Sequence, residues 1–124
     1  MSITSDIIRG HTDTIILSHL EEGDSYGYEI NKFIQKKSNN EYELKEATLY
    51  SAFRRLEQGL LVRSYWGDET TGARRRYYAI TTLGRAVLEK NKKEWEEAKY
   101  LIDKLINGGI ENVWQIKNPC RWII

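Results

Sequence analysis

The sequence predicts a mainly α fold with a small β component: three helices, a β-hairpin and one long final helix. Three observations lead there. Apolar residues recur at helical spacing through much of the chain, as in Leu49, Phe53 and Leu56 on one face. Short runs of aromatic and β-branched residues lie on either side of a polar turn bounded by Gly67 and Gly72. Beyond Thr81, residues Leu88, Trp95 and Ile102 fall seven apart. Ala98 and Leu105 interleave with them, which is the a and d pattern of a helix that packs on another helix.

The elements follow in order. Ile8, Ile15, Ile16 and Leu20 form a stripe on a helix over residues 5–21, with Ser5 or Asp6 as its cap and Glu21-Glu22-Gly23-Asp24 as its stop. A second helix, over 25–37, has Ser25 near its cap and carries Tyr26, Tyr28, Ile30, Phe33 and Ile34. Ser38-Asn39-Asn40 is turn chemistry, and Tyr42-Glu43-Leu44 reads as a short extended piece. The third helix begins at Glu46 and is ended by Gly59. Leu60–Trp66 and Arg74–Thr81 read as the two strands of the hairpin. Thr81 or Thr82 caps a helix over 82–106, Asn91 is a polar member of its seam, and Asn107-Gly108-Gly109 breaks it. Three segments result: residues 1–81, the helix 82–106, and a tail, 107–124, that is apolar but has no long period.

Composition bounds the function. At 124 residues there is room for one domain, and 40% hydrophobic with 30% charged residues is a globular mixture. No apolar run approaches the roughly 20 residues of a membrane span, so no membrane partner is expected. Residues 1–6 lack the basic and apolar regions of a secretory signal, and the lone Cys120 excludes an internal disulfide and a cysteine-based zinc site. A cytoplasmic location is therefore expected. His11 and His19 stand eight apart with no third ligand in spacing, so neither a metal nor a cofactor is expected. No nucleophile triad, paired carboxylates or phosphate-cradling loop stands out, and an enzyme is not expected.

The net charge of +1 hides an uneven distribution. Residues 1–40 carry four Lys/Arg against six Asp/Glu, whereas residues 41–85 carry eight against six. All but one of those eight are arginines, and Arg74-Arg75-Arg76 are consecutive. Arginine's planar fork suits phosphates and guanine edges. Three helices followed by a hairpin is the order of a winged helix-turn-helix. In that arrangement the third helix enters the DNA major groove, about 12 Å wide, and the hairpin is the wing on the backbone. Thr48, Ser51, Arg54, Arg55 and Gln58 lie off the third helix's apolar stripe and are types that reach bases and phosphates. Thr48 fits either a helix cap or a phosphate contact. Arg54 and Arg55 point about 100° apart, so one can face DNA while the other pairs internally, with Glu57 or Glu29. Winged helices also serve as protein-binding modules, and an interaction module without specific DNA binding is the alternative.

The segments Tyr26-Gly27-Tyr28-Glu29-Ile30, Ala47-Thr48-Leu49-Tyr50, Arg55-Leu56-Glu57 with Gly59-Leu60, Tyr65-Trp66-Gly67, and Arg74-Arg75-Arg76-Tyr77-Tyr78 with Thr81 and Gly84 resemble the PadR family of transcriptional regulators. The likeness runs over residues 5–106, and the single short final helix is similar to the branch that includes multidrug-sensing repressors. The resemblance implies a homodimer that binds a pseudo-palindromic operator, represses transcription and is released by an effector. The expected DNA contacts are Thr48, Tyr50, Ser51 and Arg54 on the third helix and Arg74, Arg75 and Arg76 on the wing. For Tyr50 the other reading is a tyrosine packed under the wing, and for Gly27 a glycine that permits close helix packing. Trp66 reads as a hinge between wing and core. Leu88, Trp95, Ala98, Ile102 and Leu105 are the expected dimer seam. Trp95 also matches a tryptophan of drug-binding members, where paired rings would sandwich a planar aromatic effector. The same resemblance implies Ile8, His11, Asp13, Ile15 and Ile16 as pocket walls. Alternatively, Trp95 is only an interface knob.

Overall fold

The computed structural model describes residues 3–67 and 74–108; the tip of the hairpin and most of the tail, with Cys120, lie outside the described residues. The order is α1 (Ile3–Arg9), α2 (Thr12–Glu21), β1 (Ser25–Tyr26), α3 (Gly27–Lys37), α4 (Glu46–Gln58), β2 (Val62–Trp66), β3 (Arg76–Ile80) and α5 (Thr82–Asn107). The mainly α winged-helix expectation holds, with three revisions in detail.

First, the helix expected over 5–21 is two helices. Gly10 and His11 interrupt it, and Thr12 restarts it with its hydroxyl donating to the Arg9 carbonyl at 2.7 Å. Glycine is among the poorest helix residues, and the isoleucine stripe runs across the break, so periodicity alone conceals it. Second, Ser25 does not cap a helix. With Tyr26 it forms a strand that pairs with β3 in the register Ser25↔Tyr78 and Tyr26↔Tyr77. The wing is therefore part of a three-stranded antiparallel sheet in the order β1-β3-β2. Third, Tyr42–Leu44 pairs with no strand. The Asn31 amide instead clasps Leu44 by both backbone groups, accepting from its N–H at 2.9 Å and donating to its carbonyl at 2.7 Å.

The core lies between the helices and the inner face of the sheet. Ile16, Leu17 and Leu20 of α2, Ile30 of α3, and Leu49, Phe53 and Leu56 of α4 meet Val62, Tyr78 and Leu88 there. Phe53 and Tyr78 stack at 3.8 Å with rings 6° from parallel. Burial raises the Tyr78 phenol above its usual value, with Glu57 and Tyr50 adding to the effect and Arg76 opposing it. The folded state thus favours the neutral phenol. Its contribution is full below about pH 10 and is lost as the pH rises through the raised folded value. Denaturant midpoints measured from neutral to alkaline pH should fall more steeply for the wild type than for Tyr78→Phe above about pH 10; parallel curves would remove Tyr78 from the alkaline transition.

Helix α4 ends as the sequence predicts, at Gly59, but the left-handed residue is Leu60, with φ of 63°. Leu61 N–H donates to the Leu56 carbonyl at 2.9 Å and Leu60 N–H to that of Glu57 at 3.0 Å, a Schellman closure. Thr81 provides the start of α5: its hydroxyl accepts from Gly84 N–H at 2.9 Å and donates to the Leu60 carbonyl at 2.7 Å. Gly84 sits so close to the Leu61 carbonyl that a Cβ there would stand 2.1 Å from its oxygen.

The chain divides into two units, one running to Glu89 and one from Lys90. The first two turns of α5 belong to the first unit, and Leu88 has no exposed surface. Leu88, expected in the dimer seam, is therefore a core residue, because it packs into the buried cluster of the first unit. In the second unit Trp95 is 41% exposed, Ile102 51% and Leu105 75%, while Ala98 is half-buried. Tyr100, Leu101 and Ile106 are exposed beside them.

Candidate nucleic-acid interface

Helix α4 buries Leu49, Ala52, Phe53 and Leu56 and turns Ala47, Tyr50, Ser51, Arg54 and Gln58 outward. Its N-cap is Lys45, without a side-chain cap bond, so Thr48 sits in the first turn and does not cap. Of the two adjacent arginines, Arg54 stands on the exposed face. Arg55 turns back to α2, where Nε donates to Asp13 at 3.1 Å and Nη2 pairs with the other carboxylate oxygen. That bidentate hydrogen bonding holds the Arg55 guanidinium further above its ordinary value, against a smaller desolvation cost. Neither Glu57 nor Glu29 is its partner: Glu29 accepts from Ser25, and Glu57 faces the wing. Asp13, expected to line an effector pocket, is thus committed to α4. Ile16, expected beside it, is fully buried in the core, and Ile15 packs partly buried against that core; Ile8 is half-buried on α1.

Two grooves flank the exposed face of α4. One is lined by Tyr26, Gly27, Tyr28, Tyr50, Trp66 and Arg74 to Arg76. A Cβ on Gly27 would lie 3.2 Å from the Tyr50 hydroxyl oxygen and 3.3 Å from Leu49. The missing side chain is what lets α4 approach the start of α3. Tyr50 remains 46% exposed in this groove, its ring edge-on to Phe53 at 6.0 Å. It is a groove wall, not a residue sealed under the wing. The Arg75 guanidinium lies 4.8 Å from the centre of the Tyr26 ring, and that of Arg74 5.4 Å from Trp66. Trp66, expected as a hinge between wing and core, is exposed at the end of β2 with its ring beneath Arg74. The second groove is lined by Arg9, Thr12, Ala47, Thr48, Ser51 and Arg55. The structure thus gathers Tyr50, Arg74, Arg75 and Arg76 on one flank of α4 and Thr48 and Ser51 on the other.

Arg76 differs from its two neighbours. Its Nη2 donates to Glu57 Oε1 at 3.2 Å and to Ser64 Oγ at 2.8 Å. Ser64 Oγ in turn donates to Glu57 Oε2 at 2.5 Å. One closed triangle therefore ties the last turn of α4 to both wing strands.

Sequence reasoning missed Arg9 and Thr12, which reach the interface only because the chain breaks at Gly10, and Trp66, whose role depends on its strand register opposite Arg76. Trp95 belongs to the second unit, on an exposed part of α5. Among the described residues no group of three His, Cys, Asp or Glu is placed to hold a metal ion, and no helix is long and apolar enough to cross a membrane.

The chain is similar to known transcriptional regulators. The model of the transcriptional regulator PadR-like family matches residues 16–90. An uncharacterized protein of Lysinibacillus sphaericus is 49% identical over 106 residues, covering 86% of this chain and 97% of that one. The solved structure of a transcriptional regulator from Clostridium thermocellum is 52% identical with a TM-score of 0.77, over 85% of this chain and 99% of that one. A PadR family transcription regulator from hypervirulent Clostridium difficile R20291 is 40% identical with a TM-score of 0.68, over 77% of this chain and 98% of that one.

Proposed function

Because the chain belongs to the PadR-like family of transcriptional regulators, we propose that it is a repressor that binds operator DNA as a homodimer and is released by a small molecule. The observation that carries the DNA reading is the pair of arginine-bearing grooves on either side of the exposed face of α4. A helix seated in the major groove has a phosphate strand on each side. Here the wing flank offers guanidinium groups to one of them and the other flank the hydroxyls of Thr48 and Ser51. Arg54, Ser51 and Tyr50 face the base edges, and Arg74 and Arg75 meet the backbone from the wing. A protein-binding module needs no arginine-lined groove beside an exposed helix, so DNA is favoured over the interaction-module reading.

The dimer reading rests on α5. Ile102, Leu105 and Trp95 leave a helix in water that packing on a second copy would cover. Binding by such a dimer to a two-fold operator needs recognition helices about 34–36 Å apart, on successive major grooves. An effector that prefers a dimer with displaced α4 helices lowers DNA affinity by shifting the population. Paired Trp95 rings are where a planar aromatic ligand would stack. Titration with planar dyes should quench tryptophan fluorescence, and Trp95→Ala should abolish the quenching; undiminished quenching would place the dye at another tryptophan.

Fluorescence anisotropy with the DNA upstream of the protein's own gene, against a scrambled duplex at several salt concentrations, tests the main reading. Preference for the upstream duplex with salt-sensitive affinity is expected. Arg75→Ala should weaken binding to both duplexes and flatten the dependence of log K on log salt by about 0.9. An unchanged slope would take Arg75 out of the interface.

A further inference from the structure

All three consecutive arginines of the wing lie over aromatic rings, Arg76 over Tyr78 at 5.9 Å. Arg74 and Arg75 lie over the Trp66 and Tyr26 rings. Arg76 lines the same groove, yet its Nη2 is bonded to Glu57 and Ser64. Glu57 sits in the last turn of α4, where the carbonyl end of the helix adds negative potential to that of the carboxylate. A carboxylate and a phosphate oxygen present the same chemistry to a guanidinium. We infer that Glu57 acts as an intramolecular substitute for a DNA phosphate, holding Arg76 back from the backbone and so limiting sequence-independent affinity.

This inference rests on the DNA reading above and names a specificity-determining residue within it. Ser64 completes the device by bridging carboxylate and guanidinium, so the tether spans helix and hairpin. Most of a regulator's competing sites are non-specific, and each extra phosphate contact strengthens those equally. A wing that withholds Arg76 therefore favours discrimination over raw affinity.

The test uses the full chain with a scrambled duplex across a salt series. Glu57→Gln keeps an oxygen to accept from Ser64 but removes the charge. Binding should tighten several-fold at low salt, and the slope of log K against log salt should steepen by about 0.9, one phosphate contact. Arg76→Gln and the double variant Glu57→Gln/Arg76→Gln are the controls. The double variant should bind like Arg76→Gln alone, because the gained contact is made by Arg76. An unchanged slope in Glu57→Gln overturns the proposal. Weaker binding overturns it too, since the triangle would then be only a strut. A gain that survives without Arg76 also overturns it, because general charge removal would be the cause. Wild-type protein that fails to bind any duplex in a salt-dependent way is a separate result and overturns the DNA reading itself.

Discussion

Replacing Gly84 by alanine is expected to disrupt the wing's attachment to α5 and cost about 3 kcal/mol, the upper end for an overpacked site. The added methyl would stand 2.1 Å from the Leu61 carbonyl oxygen and 2.8 Å from Ile80. The first contact is to backbone and is not relieved by any rotamer change. The Leu61 carbonyl is fixed because it accepts from Thr81 N–H at 3.0 Å and from the Thr81 hydroxyl at 3.1 Å. Alanine is the better helix residue by about 1 kcal/mol, so propensity and packing oppose each other, and packing wins. Helix α5 must lift away from the sheet, and Leu88 with it. Chemical unfolding followed by tryptophan fluorescence measures the loss. A midpoint equal to or above wild type would mean that α5 slides at little cost.

Leu88→Ala is the second large effect, at roughly 2–5 kcal/mol, from lost burial and the cavity left behind. It discriminates between two roles for one heptad series. Leu88 is fully buried within one chain, so its loss should lower the stability of the monomer at every protein concentration. Leu105, at 75% exposed, should behave in the opposite way. Leu105→Asp is expected to leave the unfolding midpoint of dilute protein almost unchanged while weakening association in analytical ultracentrifugation. Dissociation by Leu88→Ala without loss of stability would reverse the assignment.

That pair illustrates what was legible in the sequence. The seven-residue series from Leu88 to Ile102 correctly marks one long helix, but periodicity records only which side is apolar, not what covers it. Helix α4 was legible in full because Leu49, Phe53 and Leu56 obey one period and Gly59 ends it. The strand Ser25–Tyr26 was not, since two residues have no period and serine before a helical run resembles a cap. The Arg55–Asp13 pair was beyond reach for another reason: the partners lie on different helices, far apart in sequence, and the nearer carboxylates of Glu57 and Glu29 looked equally suitable. Within the candidate site, Ser51, Arg54 and the arginine run could be found from residue type and helical phase, and Tyr50 from the family resemblance. The distinct state of Arg76 could not, because it depends on the strand register that sets Ser64 opposite Tyr78 and Trp66 opposite Arg76.

The place of β3 at the centre of the sheet, between a hairpin partner and the two-residue strand β1, has a kinetic consequence. Strand β1 has its ladder partners at Tyr77 and Tyr78, far downstream, so closing it carries the entropy of a long loop. The hairpin β2–β3 can form locally, but β1 can join only after α3 and α4 are in place. Formation of the wing and docking of the helices should therefore be one cooperative event, with amide protons of β1 exchanging at the rate of global opening.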